Sequence, residues 1–263
     1  MSLVISGKNV LIDGAFQPAT LTIEDGVIAT LTEEMSSQPE VIHAGARYVI
    51  PGLIELHTDN HEKYFEPRPG VHWPHMDALI AHDAQLATAG ITTVFDAIAL
   101  GYGVGASNAN RERIAAESIN TLLDIRHQGV FRVDHHIHLR CECSCEGTDA
   151  YFAPWAGVDG IDLVSLMDHA PGQRQFASID KYIEYYKKKY GYTDDALKQV
   201  MDEHTKASNA FSNLNRQAIA ALCAEHQIAL ASHDDATLRH VEESVSLGCS
   251  LAEFPTPLEA GQA

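Results

Sequence analysis

Six short apolar runs, separated by stretches with helical periodicity, constrain the fold of this chain more than any other feature. The runs cover residues 48–57, 91–99, 132–142, 161–168, 228–233 and 249–254. The helix candidates between them are 76–89, a helix from Ser107 as its N-cap to about 128, 208–226 and 236–247. This alternation predicts parallel strands joined by crossover helices. Because a closed barrel of this class has eight strands, the sequence predicts an α/β fold, an incomplete TIM-like (β/α)8 barrel.

The first 48 residues follow a different pattern, with short β-prone runs at 4–5, 10–12, 19–23 and 27–28. Three turn signals separate these runs: Gly7-Lys8-Asn9, Asp13-Gly14 and Asp25-Gly26. The two Asp-Gly pairs favour tight hairpins. The sequence therefore predicts a small antiparallel β-sandwich portion over 1–48, followed by a partial barrel of about six strands over 49–263.

Residues 178–207 are too long and too helical to be an ordinary loop between a strand and a helix. The segment begins with an aromatic and basic run, 181–190 (KYIEYYKKKY), and continues as a polar helical stretch. We interpret it as a helical insertion over one end of the barrel. It is either a solvated helix pair or a lid that contacts the substrate.

Histidines and acids follow the apolar strands at their carboxyl ends, where barrel enzymes place their active sites. His57 and Asp59 end the first strand, and their period-2 spacing directs both side chains to one side. The later strands end in similar residues: His138, Arg140 and Glu142, then Asp168-His169, then His233-Asp234-Asp235. A single such ending is typical of a capped turn or a salt bridge. Four endings together indicate a divalent metal site.

The composition of the chain argues against several classes of binding partner. The chain has 36 acidic and 18 basic residues and a net charge of −18, which argues against nucleic acid and anionic membranes as partners. The sequence has no secretory signal pattern and no apolar stretch long enough to span a membrane, so we expect a cytoplasmic protein. The five cysteines do not suggest a disulfide framework. Cys141, Cys143 and Cys145 occupy alternate positions. They are either small residues packed under the helices or the ligands of a thiolate metal site.

The lead-in 49–54 (VIPGLI) to His57 resembles the entry to the first barrel strand in the amidohydrolase superfamily. Asp59 stands where a second histidine is commoner, and this variant resembles one family, the α-D-ribose 1-methylphosphonate 5-triphosphate diphosphatases of the carbon–phosphorus lyase pathway. The matching segments are 57–63, 67–71, 81–85, 89–97, 138–142, 168–176, 232–235 and 252–256. The resemblance covers essentially the whole chain.

This resemblance implies metal-dependent hydrolysis of a sugar phosphonate triphosphate, with diphosphate as the leaving product. It implies two divalent ions, and nitrogen and oxygen ligands suit Zn, Mn or Fe. A homo-oligomer is one option, and the sequence leaves the oligomeric state open. The implied metal ligands are His57, Asp59, Glu142, His169 and His233, with Glu142 bridging the ions. The candidate contacts for substrate phosphates are Lys63, Arg68, Arg140 and Arg174.

Family members continue past residue 256 into two further strands that carry a final aspartate. We therefore expect this chain to be truncated at its C-terminus, with Asp234 and Asp235 as weak stand-ins for the catalytic aspartate. Two alternatives stay open at this stage. In the first, the same scaffold catalyses a different reaction, that of a cyclic amidase or an aminohydrolase. The other is an inactive fragment, or a binding partner in a larger assembly.

Overall fold

A computed structural model describes residues 2–68, 70–101 and 108–263 of the chain. Ser107, the predicted N-cap, lies outside these residues. The chain divides into two compact units, Met1–Leu53 and Ile54–Ala263. The division predicted from sequence, 1–48 and 49–263, stays a prediction.

The first unit is a four-stranded sheet of β1 (Ser2–Ile12), β2 (Ala15–Glu24), β3 (Val27–Thr32) and β4 (Ile42–Val49), in the order β3-β2-β1-β4. Two-residue turns at Asp13-Gly14 and Asp25-Gly26 join the first three strands. Both residues of each turn have positive φ, 48° and 80° in the first and 50° and 82° in the second. Glycine and aspartate tolerate this backbone conformation, which matches the twist of a hairpin.

Two sequence expectations for this unit are wrong. The segment Gly7-Lys8-Asn9 is not a turn, because β1 continues through it with a shift of register between Gly7 and Val10. The unit is also not entirely antiparallel, since β1 pairs with β4 in parallel. The connection between β3 and β4 is long enough to let the chain return and run in the same direction as β1.

The second unit is built on a six-stranded sheet in the order β10-β9-β8-β7-β6-β5. Its strands are β5 (Leu53–Thr58), β6 (Ile91–Leu100), β7 (Asp134–Glu142), β8 (Ile161–Met167), β9 (Ala229–His233) and β10 (Leu251–Glu253). The pairs from β6 to β10 are parallel. This curled parallel sheet confirms the predicted incomplete barrel.

The helices of the second unit alternate with these strands. They are α1 (His61–Phe65), α2 (His75–Thr88), α3 (Asn108–Ile125), α4 (Thr148–Phe152), α5 (Ile179–Tyr190), α6 (Asp194–His226), α7 (Leu238–Ser246) and α8 (Leu258–Gln262). Thr193 and Thr237 cap α6 and α7 through their side-chain oxygens. None of the helices in the described ranges has the length and apolarity needed to cross a membrane.

The structure corrects two boundaries. The predicted strand 48–57 is divided between β4 and β5 by Pro51-Gly52, where proline lacks the N–H that a ladder requires. The predicted helix at 208–226 does not begin at Ser208, because α6 runs without a break from Asp194. The insertion predicted at 178–207 therefore consists of α5 and the first half of α6.

The main core lies between the sheet and its covering helices. Leu139 and Cys141 of β7 pack there with Ile119 of α3 and Ile219 of α6. This packing holds the strands in fixed register, so that their carboxyl ends meet at one edge of the barrel. That edge carries the polar side chains described next.

Candidate metal centre

Five strands bring ionisable side chains to the carboxyl edge of the parallel sheet. The cluster consists of His57 from β5, His138 and Glu142 from β7, His169 after β8, His233 and Asp234 at the end of β9, and Glu253 from β10. Within it, two triplets of side chains have their ligand atoms within 4.8 Å of one another. The described residues thus form two candidate positions for a cation.

The first triplet consists of His169, His233 and Asp234. Asp234 Oδ2 lies 3.3 Å from His233 Nε2 and 3.8 Å from His169 Nε2. The Asp234 backbone is left-handed, with φ of 55°, and its N–H donates to the Glu253 carbonyl. Strained backbone of this kind is a frequent feature of functional sites. Two imidazole nitrogens and a carboxylate oxygen are ligands that suit Zn, Mn or Fe.

The second triplet consists of His57, His138 and Glu253. Glu253 Oε2 lies 3.1 Å from His57 Nδ1 and 3.0 Å from His233 Nδ1, so this carboxylate also links the two triplets. Both ring nitrogens of His138 already have partners. Its Nδ1 donates to the Leu56 carbonyl at 3.1 Å, and its Nε2 lies 2.8 Å from Ser165 Oγ. Because both nitrogens are used, His138 is the weakest ligand candidate of the six residues.

Glu142 stands beside the first triplet. Its Oε2 is 2.5 Å from His169 Nδ1, and its Oε1 accepts from the Ser144 hydroxyl and the His169 backbone N–H. The carboxylate orients His169 in this structure. To bridge two ions, as the resemblance implies, Glu142 has to exchange some of these hydrogen bonds.

Two buried carboxylate oxygens test whether the cluster suits a cation. Asp234 Oδ2 and Glu253 Oε1 are both buried and have no hydrogen-bond partner among the described residues. An unpartnered buried carboxylate is costly unless a positive charge compensates it. Each triplet contributes one such oxygen, so the residues fit divalent cations.

The pKa values of the cluster follow from burial and from its ion pairs. Burial lowers the pKa of His138 to about 3 and also lowers that of His233. Burial alone would raise the pKa of Glu142 and Glu253, but their histidine partners outweigh it and hold both near 2. The cluster is therefore rich in ionised carboxylate at neutral pH, which favours cation binding.

Asp59, a predicted ligand, lies outside both triplets. Its side chain is 52% exposed, and its Oδ2 accepts from Arg140 at 3.2 Å. Arg140 contributes positive charge near His138 and His169. Arg140, one of the predicted phosphate contacts, therefore lies beside the metal cluster. Lys63 donates to Asn60 at 2.6 Å on the surface, and Arg68 is exposed.

Arg174 and Asp235 are paired with each other. The Arg174 guanidinium is 2% exposed and contacts the carboxylates of Asp235 and Glu243. Burial lowers the pKa of Arg174 to about 10. Asp235 also accepts from the Ser244 hydroxyl, at 3.2 Å to Oδ2. In this arrangement Arg174 is turned inward, and Asp235 is less available as a base than its neighbour Asp234.

Sequence reasoning did not include Glu253 in the ligand set, because β10 is only three residues long and its glutamate is separated by 196 positions from its partner His57. His138 was seen only as part of a polar strand face. The cysteines give no thiolate site, because neither candidate triplet of the described chain contains one. The strand ends at Glu142, so Cys143 and Cys145 follow it in a turn and the three do not share a strand face.

Comparison with known proteins places the chain among similar sequences and folds. It is 42% identical over 261 residues to the α-D-ribose 1-methylphosphonate 5-triphosphate diphosphatase of Escherichia coli (strain K12), covering 99% of this chain and 68% of that protein. No family model matches the sequence.

Among solved structures, the chain resembles an N-acetyl-D-glucosamine-6-phosphate deacetylase from Mycobacterium smegmatis, with a TM-score of 0.55 and 14% identity. The match covers 98% of this chain and 56% of the deacetylase. A Xaa-Pro dipeptidase also gives a TM-score of 0.55, at 11% identity, over all of this chain and 64% of the dipeptidase. At such low identity these structures establish the fold alone.

Proposed function

Because this chain belongs to the α-D-ribose 1-methylphosphonate 5-triphosphate diphosphatase family of the amidohydrolase superfamily, we propose that it hydrolyses this triphosphate to the 5-phosphate and diphosphate. The observation that carries the proposal is the 42% identity over 261 residues. The cluster of histidines and carboxylates at the carboxyl edge of the barrel supports it, because cleavage of a phosphoanhydride requires an activated water.

The residues assigned to the metal site are His57, Asp59, Glu142, His169 and His233. Asp234, the third member of the first triplet, is assigned a different role. Two divalent ions, Zn, Mn or Fe, suit this mixture of nitrogen and oxygen donors. When bound, such ions lower the pKa of water and polarise a phosphoryl oxygen. The protein residues hold the imidazoles and carboxylates in register at one edge of the sheet.

Asp234 is assigned the role of general base. Its Oδ2 is buried, has no hydrogen-bond partner in the described ranges, and faces the two histidines of its triplet. A carboxylate in this position can accept a proton from the attacking water. Asp235 is the weaker alternative, because Arg174 and Ser244 occupy its oxygens.

Arg140, Lys63 and Arg68 are assigned to the substrate phosphates. In a chain of net charge −18, a triphosphate needs local positive charge, which guanidinium groups supply with directional hydrogen bonds. Arg140 lies beside the metal cluster and can exchange its contact with Asp59 for a phosphate oxygen. Arg174 joins this set only if it leaves Asp235 and Glu243.

The substrate class fits a cytoplasmic metabolic role, and the five free cysteines are consistent with a reducing compartment. Whether copies of the chain associate into a homo-oligomer stays a prediction from sequence.

The decisive experiment measures diphosphate release from the ribose phosphonate triphosphate by the chain loaded with Zn or Mn. Hydantoin and adenine serve as parallel substrates, because a cyclic amidase or aminohydrolase would act on them. Release of diphosphate with no turnover of the other two supports the proposal. Turnover of hydantoin or adenine alone overturns it. Metal binding without turnover of any substrate identifies an inactive fragment.

A further inference from the structure

Glu253 and His138 are the two residues of the metal cluster that the proposed function leaves without a role. Glu253 has the more telling contacts. It is the last residue of β10, at one edge of the open sheet, and is 8% exposed. It pairs in register with His233 of the neighbouring strand, while His57 comes from β5 at the other edge of the sheet. One carboxylate thus joins the first and the last strand of the partial barrel.

The hydrogen bonds of Glu253 fix the protonation of two imidazoles. Its Oε2 lies 3.1 Å from His57 Nδ1 and 3.0 Å from His233 Nδ1. An ionised carboxylate only accepts hydrogen bonds, so both Nδ1 atoms must be the donors. A neutral imidazole with its proton on Nδ1 has its lone pair on Nε2. Both histidines are thereby prepared to bind a cation through Nε2.

His169 repeats the same arrangement with a different carboxylate, since its Nδ1 faces Glu142 Oε2 at 2.5 Å. The Nε2 atoms of His169 and His233 lie 3.8 Å and 3.3 Å from the same atom, Asp234 Oδ2. These two Nε2 atoms, on the opposite side of each ring from Nδ1, thus both lie near one carboxylate oxygen that has no hydrogen-bond partner among the described residues. For His233, this arrangement indicates that the carboxylate on the Nδ1 side, Glu253, orients the ring.

We propose that Glu253 is a positioning residue that holds His57 and His233 in the tautomer and orientation required for metal binding. The inference rests on the proposed function, because it assumes that these histidines bind metal. Outer carboxylates of this kind typically contribute a factor of about 10–100 to metal affinity. Here a single side chain serves two ligands, one from each end of the sheet.

The first test uses the metal-free wild-type protein. Long-range ¹⁵N–¹H NMR spectra identify which ring nitrogen of His57 and His233 carries the proton, with H57Q and H233Q used for assignment. We expect the proton on Nδ1 in both residues. A proton on Nε2 in either residue overturns the proposal, and this result depends neither on metal nor on catalysis.

The second test compares E253Q with E259Q, a matched change at an exposed glutamate six residues away. Zn affinity is measured by competition with a chromophoric chelator, and stoichiometry by elemental analysis. We expect E253Q to bind about 10–100-fold more weakly with unchanged stoichiometry at saturation, and to show mixed tautomers at His57 and His233. E259Q should match the wild type.

Two outcomes of this comparison contradict the proposal. Loss of one equivalent of Zn from E253Q at saturation would make Glu253 a ligand, and unchanged affinity with unchanged tautomers would give it no role. A different result is expected if the proposed activity is wrong and the role of Glu253 is right. The protein would then bind Zn with the Glu253 dependence described above but release no diphosphate.

Discussion

At the scale of single residues, the site depends on which carboxylate oxygens are free to act. Asp234 and Asp235 are adjacent in sequence but differ in environment. Asp234 Oδ2 is buried and has no partner within the described part of the chain, whereas Asp235 is bound by Arg174. The left-handed backbone at Asp234 turns the chain so that the two side chains have different neighbours. Neighbouring aspartates that cannot be ranked from sequence are thus distinguished by their contacts.

We predict that D234N releases diphosphate at least about 100-fold more slowly than the wild type, because an amide cannot accept a proton from water. Zn stoichiometry, measured in the same preparation, should stay the same. D202N, a change at an exposed aspartate of α6, is the control and should keep full activity. Loss of bound Zn from D234N would show instead that Asp234 is a ligand.

A second prediction at this scale concerns thiol reactivity. Burial raises the pKa of Cys143 and Cys223 to about 12 and that of Cys249 to about 11, and it also raises the pKa of Cys141. Since the thiolate is the reactive form, native protein should react slowly with Ellman's reagent. Five thiols should react rapidly after denaturation in guanidinium chloride. Rapid reaction of two or more thiols in native protein would contradict the buried placement.

At the scale of elements, α2 is attached to the sheet by a buried polar cluster away from the metal site. Asp96 of β6 is fully buried and accepts from His135 Nδ1 at 2.6 Å and from His82 Nε2 at 3.0 Å. Asp83 of α2 accepts from the backbone N–H groups of Arg132 and Val133. These contacts connect the helix with β6 and with the start of β7.

We predict that D96N lowers the free energy of unfolding by about 2 kcal/mol, since the amide keeps one acceptor oxygen and turns an N–H group toward the other buried histidine donor. Burial would raise the pKa of Asp96, but its histidine partners hold it well below 3.8. A carboxyl group whose pKa is lowered in the folded protein stabilises the fold at pH values above its ordinary pKa. This stabilisation is lost as the pH falls below that ordinary pKa. The difference from wild type, measured in urea, should therefore shrink below about pH 4. D77N, at an exposed position on α2, should change stability little.

The aromatic cluster of the insertion is a second feature at this scale. Tyr182 of α5 is fully buried, stacks on Tyr186 at a centroid distance of 4.2 Å, and bonds through its hydroxyl to His204 of α6 at 2.8 Å. Phe176 contacts Tyr182 on one side and lies 6.3 Å from the His169 ring on the other. The insertion thus packs on Phe176, which lies between Tyr182 and the ring of a predicted metal ligand. The lid and the solvated helix pair both stay predictions.

We predict that Y182A increases hydrogen exchange across α5 without changing protection of the barrel strands, because the substitution removes the centre of this cluster. Mass spectrometry of peptic fragments from 179–190 and from β7 would measure the difference. Y182F removes only the hydrogen bond between the Tyr182 hydroxyl and His204. It should therefore lower the free energy of opening α5 by about 1 kcal/mol. Equal exchange in α5 for Y182A and wild type would contradict the role of Tyr182.

At the scale of the whole molecule, the carboxylates at the barrel edge connect metal binding with folding. We predict that chelation of the metal lowers the melting temperature, because a ligand that binds only the native state stabilises it. The expected stabilisation is about 4 kcal/mol when free Zn is a thousand times its Kd. Calorimetry with Zn and with a chelator would measure it. A melting temperature that does not depend on Zn would contradict metal binding by the native state.

The sequence predicted the barrel well because the alternation of strands and helices is a local signal, visible within each run of residues. It predicted four strand ends of the site for the same reason. It missed Glu253, whose partner His57 is 196 residues away and comes close only after the sheet curls. It also could not show that Arg174 and Asp235 bind each other, because that contact depends on the packing of α7 against the end of β9.

The uninterrupted course of α6 determines which part of the insertion can act as a moving flap. A helix of 33 residues is about 50 Å long and behaves as one stiff rod, and its second half is packed through Ile219 in the main core between the sheet and its helices. Its first half therefore cannot swing away without breaking the helix. If the insertion acts as a lid, its moving part is therefore α5, with hinges at residues 177–179 and 190–194. A crosslink between α5 and α6 should then trap the closed position, and one placed within α6 should not affect access to the metal.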